Sequence, residues 1–324
     1  MRSRLIVALA ALAALGAGCG DEESEPAGQG PSREQPVRLR VGETAGIPTA
    51  FMQFGVDKGF FSDAGLDVEV VPVQGAAPII TAVVSGDYQM GGSDTVTFAQ
   101  GVARDLPLTM IAPGTSVSEE PRDDFSDVLV AKDSRIRRPE DLDGATMAVN
   151  ILGNITEVSV KGALERAGVD PDSVRYTEVP FPDMAAAVER GDVDSAMVIE
   201  PFRTIGRSAG LRSVLRPFSG FQPGLQIGSI VTTRSYAEAN PEVVRAFQEA
   251  HARTTRFIAE NPDEFRAALP EIAEMEPRLA DAVELPVWKE RVDPEAVDLV
   301  AEAMVRFGLV EEKPDVTGAV AEGA

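Results

Sequence analysis

The sequence predicts an α/β protein of two similar lobes, each made of strands alternating with helices. Three observations lead there. An internal repeat pairs "DAGLDVEVVPV" (63–73) with "RAGVDPDSVRYTEVP" (166–180), "AVVSGDYQMGGSD" (82–94) with "AVERGDVDSAMVIE" (187–200), and "VGETAGIPT" (41–49) with "VNILGNIT" (149–156), at an offset of about 103 to 108 residues. Each unit reads strand, loop, helix, strand, helix, strand, a pattern that implies parallel βαβ topology. Finally, 44% apolar and 25% charged residues suit a globular body with a real core, and roughly 285 residues beyond residue 36 are enough for two lobes.

The elements follow in order. Arg2 and Arg4 precede an apolar run, Leu5 to Leu15, and the small residues Gly16-Ala17-Gly18. That is the plan of a signal peptide over 1–18, shorter than the roughly 20 apolar residues a membrane span needs. Cys19, the only cysteine of the chain, follows the small residues as the lipidated cysteine of a bacterial lipoprotein does. A lone thiol outside the cytoplasm is a liability unless capped. Gly16 stands where such sites prefer leucine, with Leu15 one position further back; a plain secreted protein is the alternative. Residues 19–36, full of Gly, Pro, Ser and acid, read as a flexible tether that lets the body stand off the membrane surface.

Lobe one is expected over 37–125 and 225–316, lobe two over 126–224, and a disordered tail over 317–324. The strands "DDFSDVLVAKDS" (123–134) and "GLQIGSIVTTRSYA" (224–237) would carry the chain between lobes. After Asn240-Pro241, Val244, Phe247, Ala250, Thr254 and Phe257 recur on one face of a long helix. More helices, around 263–275 and 294–307, would return to lobe one. Two lobes joined by two strands describe a cleft that closes by hinge motion.

Thirty basic residues against 52 acidic give a net charge of −22, or −24 once the two arginines of the signal are removed. Charge therefore draws the body neither to nucleic acid nor to anionic lipid. In open parallel sheets, ligands enter the crevice at the carboxyl ends of the strands, where helix N-termini offer free N–H groups. The loops so placed hold Glu43, Pro48 and Thr49; Ser93, Asp94 and Thr95; Asn150, Gly153, Asn154 and Thr156; and Glu200 and Arg203. Ser93, Asp94 and Thr95 are equally good helix caps, and Glu200 is as readily a solvated end charge. An anionic ligand would depend on helix N-termini and Arg203, a cationic or donor-rich one on Glu43, Asp94 and Glu200; the residues leave both open. Phe51, Phe54, Phe202, Phe221 and Trp288 read as packing.

No G-x-S-x-G, H-E-x-x-H, Walker loop or Cys/His metal spacing occurs. His251 lies on the long C-terminal helix, away from the cleft loops. No enzyme, cofactor or metal is expected.

The segments "GVDKGFFSDAGLDVEVVPVQG", "VSGDYQMGGSD", "LVAKDSRIRRPEDLDGATMAVN", "ALERAGVDPDSV", "GDVDSAMVIEPF" and "FGLVEEKPDV", in this order, resemble ABC-transporter solute-binding proteins of the nitrate/sulfonate/taurine and thiamine-precursor group. The resemblance spans Val37 to residue 316. It implies a type II periplasmic-binding-protein fold: two Rossmann-like lobes, two hinge strands, and C-terminal helices on lobe one. It further implies a monomer outside the membrane that captures a small molecule in the cleft and passes it to a permease and ATPase, with the membrane contacted through the lipid alone. A ligand-sensing lipoprotein on the same fold is the alternative, and a pyrimidine-synthase-like enzyme a remoter one.

Overall fold

The computed structural model describes residues 30–324. The signal peptide and Cys19 lie outside the described residues. In chain order, the first repeat unit runs β1 (Val37–Thr44), α1 (Ile47–Asp57), α2 (Phe60–Asp63), β2 (Leu66–Val73), α3 (Ala76–Ser85), β3 (Met90–Asp94), α4 (Thr95–Ala103) and β4 (Leu108–Pro113). After the short β5 (Thr115–Ser116) and β6 (Ser126–Val130) comes the second: β7 (Thr146–Val149), α5 (Ile155–Arg166), β8 (Arg175–Glu178), α6 (Phe181–Arg190), β9 (Ser195–Ile199), α7 (Phe202–Ser208) and β10 (Arg212–Leu215). Then follow α8 (Pro217–Phe221), β11 (Gly228–Thr233), α9 (Arg234–Ala239), α10 (Pro241–Glu260), α11 (Pro262–Ile272), β12 (Val287–Trp288) and α12 (Pro294–Arg306).

The repeat in the sequence becomes a repeat in topology. One sheet has the strand order β2-β1-β3-β11-β4, the other β8-β7-β9-β6-β10. In each, the first three strands are parallel and the fourth runs against them: β11 pairs antiparallel with β3 and β4, and β6 does so with β9 and β10. The antiparallel strand of the first sheet comes from after the second unit. That of the second comes from before it. This exchange forces the chain to cross between halves twice.

The crossings lie side by side. Ile227 N–H donates to Thr115 O at 2.9 Å and Val117 N–H to Leu225 O at 2.8 Å. The first of them precedes the strand expected over 123–134, since β6 lies wholly within the second sheet. β12 pairs with β5 on the first crossing.

Sequence explains the central strands. β6 and β9 are buried at every residue, and β4 likewise, as sheets covered on both faces require. On α10 the buried face carries Val243, Val244, Phe247, Ala250, His251, Thr254 and Ile258, close to the predicted stripe. α10 packs on α1, α2, β2 and β4, whereas α12 touches both α4 and α5, so the trailing helices are not confined to one half.

Both expected flexible ends need correction within the described residues. Residues 317–324 were expected to be disordered, yet they pack along β4: Ala321 N–H donates to Met110 O at 2.8 Å and Thr109 Oγ1 to Ala319 O at 3.1 Å. The reason is apolar, since Ala319 and Val320 join the core around β4. The last residues of the expected tether, 31–36, lie against the first sheet. Pro31 and Ser32 sit where a side chain on Gly65 would be, and Arg33 pairs with Asp63.

Candidate functional site

Between the halves lies a cavity of about 60 Å³, room for about two waters at a liquid volume of about 30 Å³ each. Its position follows from topology. Glu43 and Thr44 end β1, Gly92, Ser93 and Asp94 end β3, and Asn150 follows β7. The antiparallel strands contribute their starts, so Gly228 and Ser229 of β11, Ile227 before it and Phe125 before β6 line it too. Both sheets therefore turn the carboxyl ends of their parallel strands to one crevice, as the rule for open α/β sheets requires.

Seven of the expected residues line this cavity: Glu43, Pro48, Ser93, Asp94, Asn150, Asn154 and Thr156. Asp94 caps α4, accepting from Thr97 N–H at 2.9 Å and Thr97 Oγ1 at 2.6 Å. Its Oδ1 also accepts from Ile155 N–H, the first residue of α5 in the other half, at 3.2 Å. One carboxylate thus sits at two helix N-termini, where negative charge is favoured. Burial pushes its pKa up, against these donors. Gln100 adds a second link between the halves, donating from Nε2 to Gly153 O at 2.8 Å.

Asn150, Asn154 and Thr156 form one cluster. Asn154 caps α5 through Thr156 N–H at 3.0 Å, and its Nδ2 donates to Asn150 Oδ1 at 3.0 Å.

Glu43 is different. It is 6% exposed, and among the described residues its carboxyl accepts one hydrogen bond, from Thr44 N–H to Oε2 at 3.2 Å. Its carboxyl lies over Gly92: a Cβ built there would stand 1.5 Å from Oε2 and 2.3 Å from the carboxyl carbon. Burial, with that single backbone donor against it, raises the Glu43 pKa to about 8.

Five expected residues do not line the cavity. Thr49 Oγ1 donates to Thr44 O at 2.8 Å, Thr95 is fully buried behind β11, and Gly153 turns the chain into α5 at φ 69°. Glu200 and Arg203 form a buried network instead. Arg203 Nη1 meets Glu200 Oε1 at 2.8 Å and its Nε meets Asp127 Oδ2 at 3.0 Å. Glu200 accepts further from Thr204 N–H, Thr204 Oγ1 and Glu284 N–H. The anion anchor the sequence offered is thereby used up inside the protein.

Sequence reasoning passed over Gly75 and Ala76, Thr115, Phe181, Phe218 and the start of β11. The strand-end rule, applied to β2 as well as β1 and β3, reaches Gly75 and Ala76. Phe181 and Phe218 carry no local signal. The aromatics read as packing sit in packing: Trp288 stacks on Phe51 at 5.0 Å, Phe54 meets Phe265 edge-on at 5.1 Å, Phe202 stacks on Phe181 at 5.9 Å, and Phe221 presses on Gly162. His251 is 2% exposed beside Phe51 and Phe247.

This geometry can be set beside known proteins. The chain is 27% identical to the taurine-binding periplasmic protein of Escherichia coli over 71% of its own length and 69% of that protein's. It is 24% identical to a 4-amino-5-hydroxymethyl-2-methylpyrimidine phosphate synthase of Saccharomyces cerevisiae over 63% of its length and 62% of that enzyme's. The structure of the alkanesulfonate-binding protein SsuA from Xanthomonas axonopodis pv. citri bound to MOPS superposes with a TM-score of 0.75 over 89% of this chain and 99% of that one, at 15% identity, and shows the shared periplasmic-binding-protein fold. The model of the family described as NMT1/THI5 like matches residues 49–265, which contain both helix N-termini that meet at Asp94, and the chain belongs to that family.

Proposed function

We propose that the chain is the solute-binding component of an ABC importer, held outside the cytoplasmic membrane by lipid on Cys19. It captures a small molecule between its halves as a monomer and presents it to a permease and its ATPase. The observation that supports this best is the cross-cleft contact at Asp94. The same carboxylate caps α4 of one half, accepts from the N-terminus of α5 of the other, and lines the cavity between them. A ligand bound there touches both halves and favours the closed arrangement by differential affinity.

Capture without turnover fits the lining, which holds neither histidine nor cysteine among the described residues. Its titratable groups are Glu43 and Asp94. The remainder is hydroxyl, amide and apolar surface suited to holding a ligand. The paired crossings at residues 115–117 and 225–227 are proposed as the places about which the halves turn.

The test is a thermal-shift screen of residues 31–324 against sulfonates, nitrate, pyrimidines, polyamines and aromatic acids, followed by small-angle X-ray scattering with each hit. A compound that binds only the native state raises the melting temperature, and closure lowers the radius of gyration. No hit in the panel, or hits that leave the scattering curve unchanged, overturns the proposal.

A further inference from the structure

Resting on the reading of the cavity as a capture site, we propose that its ligand is a small protonated amine, whose ammonium group is received by the carboxylate of Glu43 over Gly92. The inference begins with what the carboxyl lacks. Glu43 is buried, its Oε1 has no hydrogen-bond partner among the described residues, and its Oε2 has only the N–H of the next residue. A buried carboxylate without a cation is unfavourable unless something supplies one. Among the described residues, no lysine, arginine or histidine lines the cavity. Arg203, the one base in the cleft loops, is held by Asp127 and Glu200.

The backbone is shaped for this carboxyl. Gly92 takes no left-handed φ, so its turn does not require glycine. What requires it is the close approach of Glu43, which any Cβ would obstruct. The second carboxylate of the cavity cannot play the same part, because three donors from Thr97 and Ile155 already occupy Asp94. The N-terminal turn of α3, at Ala76, lines the same cavity. It suits an acceptor or acidic group at the other end of the amine.

Binding then couples to a proton. The free carboxyl is largely neutral at pH 7, and receiving an ammonium group releases its proton to solvent. Asp94 is the other titratable group lining the cavity; burial pushes its pKa up, against the donors from Thr97 and Ile155. Apparent affinity for an amine should rise about tenfold per pH unit up to about pH 8 and level off above it.

The experiment compares taurine, ethanolamine and putrescine with the amine-free ethanesulfonate, ethylene glycol and nitrate at millimolar concentration. Thermal shift is the first readout, and calorimetry from pH 6 to 9 the second. Glu43→Gln keeps the shape of the neutral acid and removes the charge. The expected result is a shift with at least one amine, none with its amine-free counterpart, and a loss of at least tenfold in affinity in Glu43→Gln at pH 8. Binding of amine-free anions that survives Glu43→Gln, with affinity falling as pH rises, would mean a neutral Glu43 donating to an anion. That outcome overturns the amine and leaves capture standing. No shift with either set overturns both.

Discussion

Removing the Asp94 carboxylate should separate two roles that it performs at once. In Asp94→Ala, α4 loses its N-cap, which costs about 1 kcal/mol of stability, within a range of about 0.5–2. The hydrogen bond from Ile155 N–H is lost as well. A hydrogen bond to a charged group contributes about 1.5–3 kcal/mol. Because this one joins the halves, its loss acts on the balance between open and closed forms. The shift corresponds to roughly 10- to 100-fold in that equilibrium, and ligand affinity follows it. Asp94→Asn divides the effects, since asparagine caps as well as aspartate and its one carbonyl oxygen can stand for Oδ1, which accepts from both Thr97 N–H and Ile155 N–H, but it removes the negative charge that the two helix N-termini favour. It should keep the stability of α4 and lose part of the closure. Urea unfolding reads the first quantity. The radius of gyration without ligand reads the second, free of any direct contact between Asp94 and the ligand. If folded Asp94→Ala is as compact as the parent and binds the screened ligand equally well, Asp94 neither closes the cleft nor serves the site.

Other perturbations test the remaining parts. Arg203→Met leaves Glu200 and Asp127 buried without their shared cation and should lower stability by about 3–5 kcal/mol, seen as a lower urea midpoint; a loss of ligand affinity at unchanged stability would restore it as a ligand anchor. Burial holds the His251 pKa down at about 4, against an ordinary 6.5, so between those values the unfolded chain binds the proton and the native one does not. Stability contributed by the neutral imidazole is therefore complete above pH 6.5 and falls by about 1.4 kcal/mol per unit as pH drops toward 4. His251→Leu should show a shallower fall over that window, and an identical slope would mean that the ring is accessible to protons. Gly92→Ala forces the Glu43 carboxyl aside and should cost about 1–3 kcal/mol by overpacking, with weaker amine binding in calorimetry; unchanged unfolding and binding would show that the carboxyl has room to move.

Much of the architecture could be read from the chain because repeats and strand patterns are local. The paired segments at 63–73 and 166–180 become β2 and β8 with the helical turns before them, and the strands ending at Asp94 and Glu200 become β3 and β9. The strand-end rule then found most of one wall, since Glu43, Ser93, Asp94 and Asn150 are fixed by the strands they terminate. What it could not supply was the contribution of distant segments. Phe181 and Phe218 reach the cavity through tertiary packing, and the start of β11 reaches it because that strand inserts between β3 and β4 from more than a hundred residues further along the chain. The packing of 317–324 on β4 was equally hidden, because a short tail shows its partner only once the sheet exists.

The failure at Glu200 has a more specific cause. Asp94 and Glu200 occupy similar places in the repeat: Asp94 ends β3, Glu200 directly follows β9, and each accepts from a backbone N–H in the first turn of the following helix, Thr97 for one and Thr204 for the other. Sequence symmetry therefore assigned both to the cleft. The C-terminal segment breaks that symmetry, because it has no counterpart in the repeat and covers one unit at this position. Glu284 N–H donates to Glu200 Oε1 at 3.1 Å, and Ala282 O accepts from Thr204 Oγ1 at 3.2 Å. Sealed from solvent, Glu200 needs a cation, and Arg203 one helical turn on provides it. Asp94 has no such cover and faces the cavity. Its satisfaction comes from the opposite half, through Ile155. One repeated position thus yields a fixed brace on one side and a contact across the cleft on the other, and the difference is set by which of them the unrepeated part of the chain overlies.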